Sequence, residues 1–101
     1  MAIIHVNKDN FSEEVLESSN TVIVDFYADW CGPCQMLSPV LEDISKTRAD
    51  IDIAKIDVDE SPELAIQFGI NTIPALMVFK NGECTNTSIG YKTKDEVLAL
   101  L

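Results

Sequence analysis

Hydrophobic and polar positions change period several times along the chain, and each change predicts an element. Ala2–Val6 is a short apolar run suited to a strand. Asn10, a residue type that caps helices, precedes Phe11, Val15 and Leu16, whose spacing predicts one helical face. Thr21–Tyr27 (TVIVDFY) is β-branched and aromatic on both faces, the pattern of a strand buried in a parallel sheet. Beyond Gly32, Met36, Leu37, Val40, Leu41 and Ile44 recur at helical spacing. Pro39 lies inside that helix; lacking an N–H, it is expected to kink or divide it. Ile51–Val58 alternates like a strand, and Ser61-Pro62 reads as the capped start of a short helix that Gly69 ends. Ala75–Phe79 is another strand, and Asn81-Gly82 turns it into Glu83–Ile89. Thr93 and Glu96 make a capping box ahead of Val97, Leu98, Leu100 and Leu101.

The order β-α-β-α-β-α-β-β-α predicts an α/β fold. Its central mixed sheet has three parallel strands plus an antiparallel hairpin, with helices on both faces. The 101 residues suit a single domain over 1–101, and 47% hydrophobic with 24% charged residues is a globular composition. Seven basic residues against 17 acidic give a net charge of −10, which argues against nucleic-acid or anionic-membrane binding. The longest apolar run, Ala75–Phe79, falls far short of the ~20 residues of a membrane span. The opening MAIIHVNKDN has neither a basic region nor a long apolar one, so no export signal is expected. A cytoplasmic setting follows, where thiols stay reduced and cysteine pairs are redox-active or metal-binding more often than structural.

Three cysteines are too few for a disulfide scaffold. Two of them, in Trp30-Cys31-Gly32-Pro33-Cys34, stand where the TVIVDFY strand gives way to the long helix. Unpaired N–H groups and partial positive charge at a helix N-terminus favour thiolate over thiol, so Cys31 is placed to be a nucleophile. Cys34 follows one helical turn later, close enough to attack a mixed disulfide formed at Cys31. Gly32 and Pro33 set the turn. A purely structural crosslink would close so short a loop that it contributes only about 2 kcal/mol. Zinc would need two further ligands, and His5 and Cys84 lack zinc-type spacing to the pair. A binding module with incidental thiols and a metal or cluster carrier are the other classes to test. Asp25 interrupts an apolar strand and is expected to be buried, either protonated or partnered, although a strand-end carboxylate could also reach solvent. Cys84 is expected to be a small buried hydrophobe, with an exposed, dimerising thiol as the alternative. His5 is given no role.

WCGPC, the preceding VDFYADW, Ile73-Pro74-Ala75, Phe79-Lys80-Asn81-Gly82 and Gly90 resemble the thioredoxin family in order and separation, over essentially residues 1 to 101. The resemblance implies a thioredoxin fold and protein-disulfide reduction through a Cys31–Cys34 dithiol, with no bound cofactor beyond that redox-active disulfide. It implies that Asp25 accepts the proton of Cys34, that Lys55 approaches Asp25, and that the Ile73–Pro74 bond is cis. A substrate chain would lie along Trp30, Gly32, Pro33, Ile73, Pro74 and Gly90. Implied partners are disulfide-containing proteins and a thioredoxin reductase, with a monomer expected. Gln35 stands where many members carry Lys, so Cys31 is expected to be slightly less acidic than the family norm. Tyr27 stands where Trp is common.

Overall fold

The computed structural model describes residues 3–101; Ala2, expected in the first strand, lies outside the described residues. Among these, five strands form one sheet in the order β1-β3-β2-β4-β5. They are β1 (Ile3–His5), β2 (Thr21–Tyr27), β3 (Ile51–Asp57), β4 (Ala75–Lys80) and β5 (Glu83–Ile89). β3 pairs parallel with both β1 and β2, β4 runs antiparallel to β2, and β5 returns antiparallel along β4. The mixed sheet is the expected one.

Alternation along β2 divides the core. Ile23 joins Ile51, Ile53 and Leu76 beneath α1 (Gly32–Thr47) and α3 (Lys94–Leu98), contacting Leu37, Leu41, Ile44 and Val97. Val22, Val24 and Phe26 face the opposite layer, with Phe11, Val15 and Leu64 of α2 (Pro62–Gln67). A strand whose neighbours on both sides are buried must be apolar on both faces, which explains TVIVDFY.

Local chemistry fixes several boundaries. Asn81 (φ 53°) and Gly82 (φ 81°) both adopt left-handed backbone, as a two-residue hairpin turn demands. After α2, the Gly69 N–H bonds to the Ile66 carbonyl and the Ile70 N–H to the Ala65 carbonyl, a Schellman ending with Gly69 at φ 68°. The capping box at Thr93 and Glu96 is formed in both directions.

Two local expectations are corrected and a third is narrowed. The helical segment expected after Asn10 forms, but as a π-helix over Ser12–Leu16 closed by the Glu17 N–H on the Ser12 carbonyl, and Asn10 does not cap it with its side chain. The Asn10 side chain instead accepts from the Asn7 N–H and donates to the His5 carbonyl, and Leu16 is exposed. Of the two outcomes expected at Pro39, division does not occur: α1 runs unbroken from Gly32 to Thr47, since a proline withdraws a single N–H and the apolar face on either side stays packed. Ser61 precedes α2 without a side-chain cap; its carbonyl accepts from the Leu64 N–H.

Candidate active site

The C-terminal end of β2 hands the chain to α1 through Ala28–Cys31. Cys31 occupies the N-cap of α1, with extended backbone, and its sulfur accepts the Cys34 N–H at 3.2 Å. A main-chain donor of the helix's first turn thus points at the Cys31 sulfur, and no acidic residue stands in that turn to oppose it. Pro33 fits the first turn, where its missing N–H costs nothing, and Gly32 and Pro33 are exposed beside the buried pair. Cys31 and Cys34 are joined as a disulfide, their Cα atoms 5.2 Å apart. Gln35 is more than a missing cation: its Nε2 donates to the Asp29 carbonyl at 2.7 Å and ties the helix to the preceding loop.

Asp25 is buried, at 1% exposure. It shares the parity of Ile23 and so faces the α1 side of the sheet, between Lys55 on β3 and the apolar Leu76 on β4. Lys55 extends its ammonium to 3.8 Å from Asp25 Oδ2, an ion-pair distance too long for a hydrogen bond. The same ammonium donates to Ser38 Oγ at 3.2 Å and lies 4.6 Å from the centre of the Tyr27 ring. Asp25 Oδ1 has no hydrogen-bond partner among the described residues. Burial pushes the Asp25 pKa up to about 6, and the Lys55 charge restrains the rise. The Tyr27 phenol is also shifted upward, by burial and by the acidic neighbours Asp57, Asp29, Glu60 and Asp25. A cavity of about 200 Å³ opens here, with Tyr27, Asp29, Cys34, Gln35, Ser38 and Lys55 in its wall.

The chain-reversing β4–β5 hairpin supplies the other side. Ile73–Pro74 is a cis bond immediately before β4, and Ile73 packs against the cluster of Ala28, Cys31 and Cys34. The Gly90 N–H donates to the Pro74 carbonyl at 2.8 Å, fastening the end of β5 to this loop. Trp30 is 71% exposed, and its indole N–H donates to Asp59 Oδ2 at 2.8 Å. The structure therefore brings Cys31, Cys34, Trp30, Ile73, Pro74 and Gly90 to one end of the sheet, with Asp25 and Lys55 beneath.

His5 and Cys84 are elsewhere, on β1 and β5, the opposite edges of the sheet. Cys84 is not buried as expected but exposed, because β5 is an edge strand whose residues lie outside both packed layers. Two residues that touch the candidate site, Ser38 and Asp59, were not singled out from the sequence. Ser38 carried a usable signal, since it lies four residues after Cys34 and so on the same side of α1. Asp59 carried none, because only the fold brings it to Trp30.

Comparison with known proteins adds a family. A model of the family described as Thioredoxin matches residues 2–101. The chain is similar to proteins named thioredoxin from Acidithiobacillus ferridurans, 44% identical over 99% of this chain and 94% of that relative. It is likewise similar to those of Chlamydia muridarum, 45% identical over 95% and 92% of the two chains, and Rickettsia prowazekii, 45% over 93% and 90%.

Proposed function

The chain belongs to the thioredoxin family, and we propose how its residues divide the work of protein-disulfide reduction. The enzyme is a thiol–disulfide oxidoreductase whose redox centre is the Cys31–Cys34 pair. In the reduced state the Cys31 thiolate attacks one sulfur of a substrate disulfide, and the displaced substrate sulfur leaves as a thiolate that takes a proton. A Cys31–substrate mixed disulfide results. Cys34 gives its proton to Asp25, attacks Cys31 Sγ and expels the second substrate thiolate. Two electrons pass to substrate, and the enzyme is left with the Cys31–Cys34 disulfide. A thioredoxin reductase then returns two electrons, and one proton restores the Cys34 thiol beside the Cys31 thiolate.

The observation that carries this assignment is the Cys34 N–H on the Cys31 sulfur, which favours negative charge there and makes Cys31 the attacking member. Exposed Trp30, Gly32 and Pro33, with Ile73, Pro74 and Gly90 alongside, form the surface for an extended substrate chain. Lys55 holds charge near Asp25. Residues 1–101 act as one domain and monomer in the cytoplasm, needing no cofactor beyond the disulfide. Cys34→Ser tests the order of attack: with a protein disulfide substrate it accumulates a covalent adduct at Cys31. Free turnover by Cys34→Ser would exclude the two-cysteine sequence.

A further inference from the structure

The Lys55 ammonium has three neighbours at unequal distances, and the shortest contact is not the opposite charge. Ser38 Oγ is 3.2 Å away, whereas Asp25 Oδ2 is 3.8 Å away and the Tyr27 ring centre 4.6 Å. An ammonium beside a buried carboxylate ordinarily closes to a charge-assisted hydrogen bond of about 2.7–2.9 Å. Lys55 borders a cavity that Ser38 and Cys34 also line, so its ammonium is not enclosed by packing on every side. We propose that Ser38 is a positioning residue: its hydroxyl draws the Lys55 ammonium aside, leaving Asp25 with a distant charge partner and able to accept the proton of Cys34. The proposal rests on the reading of Asp25 as proton acceptor and adds to it a residue that sets the acceptor's strength.

The charged and titratable surroundings are consistent with this. From β3, Lys55 faces Asp25; from β4, the residue opposite is Leu76, which carries no charge; α1 contributes Cys34 and Ser38. Asp57, Asp29 and Glu60 act on Tyr27 from the rim. Lys55 is therefore the one cation positioned to tune Asp25 among the described residues, and Ser38 is its hydrogen-bonded anchor.

Titration of the Asp25 carboxyl by NMR in the oxidised protein tests the proposal. In Ser38→Ala, Lys55 is released toward Asp25 and the midpoint falls by about one pH unit, the scale of an opposite charge moving into contact. Ser38→Thr keeps the hydroxyl and restores the wild-type midpoint. In a Lys55→Met background, Ser38→Ala has no effect. A midpoint that stays or rises in Ser38→Ala, or falls equally without Lys55, overturns the proposal. Release of a preformed mixed disulfide at neutral pH slows about threefold in Ser38→Ala, as expected for a weaker base at a Brønsted coefficient near 0.5. Asp25→Asn separates the two ideas: unchanged release in that variant removes Asp25's role as acceptor, while the titration still decides whether Ser38 holds Lys55.

Discussion

Asp25 ties the stability of the fold to the proton-accepting role proposed for it. Its carboxyl titrates at about 6 in the folded chain against 3.8 in the reference state, because burial disfavours the anion more than Lys55 restores it. Below pH 3.8 the group is neutral in both states and has no effect on folding. As pH rises past 3.8 the unfolded chain sheds the proton while the folded chain keeps it, so stability declines until about pH 6 and is flat above. The interval amounts to about 3 kcal/mol. Asp25→Asn is therefore expected to gain about 2–3 kcal/mol at pH 8, measured by urea unfolding, with the gain vanishing near pH 3.5. A gain independent of pH would show that burial of the anion is not its cause. The same substitution is expected to slow release of the mixed disulfide if Asp25 accepts the Cys34 proton as proposed; unchanged release would remove that role.

At the level of elements, the β4–β5 turn depends on one residue lacking a side chain. A Cβ at Gly82 would stand 2.9 Å from the Leu16 carbonyl oxygen, on a backbone with φ 81°. Gly82→Ala should cost about 1–3 kcal/mol, read as a lower urea midpoint with unchanged slope, while disulfide reduction proceeds at the wild-type rate. A shift below a few tenths of a kcal/mol would mean that the turn relaxes away from Leu16. This turn was legible in the sequence because its chemistry is local: Asn-Gly serves left-handed backbone wherever it occurs. The strands, α1 and the Thr93 capping box were legible for the same reason. The errors fall where long-range packing decides. Asn10 has helix-capping chemistry, yet the Asn7 N–H and the His5 carbonyl take its side chain. Cys84 differs: the polar run ECTNTSI did mark β5, and so Cys84, as an uncovered strand, a signal the expectation of a buried thiol passed over; nothing local brings Asp59 to Trp30. At the site, the WCGPC run disclosed the thiol chemistry, whereas the three-way contact of Lys55 arises only where β2, β3 and α1 meet in the fold.

Across the whole molecule, composition and architecture divide the cysteines unequally. The oxidised pair is buried at one end of the sheet, and Cys84 is exposed on an edge strand. Oxidised native protein should therefore take up one equivalent of maleimide, and Cys84→Ser none, with disulfide reduction intact. Uptake only after unfolding would show that Cys84 is covered in solution. The acidic excess also has a place. Asp29, Asp57, Asp59 and Glu60 lie near Tyr27 and Trp30, while the stretch from Gly32 to Leu41 is uncharged and exposes Met36. Repulsion between like-charged molecules opposes self-association through such an apolar surface.

The register of the sheet gives Cys84 a practical value. Cys84 pairs with Phe79 and Phe79 with Val22, whereas the redox pair follows Tyr27 at the other end of the same central strand. Five residues of extended chain separate those ends by about 17 Å. A surface or bead coupled through the Cys84 sulfur would thus hold every copy in one orientation, with the reducing end turned outward to solution. The edge thiol is a ready-made tether for an oriented electrode film.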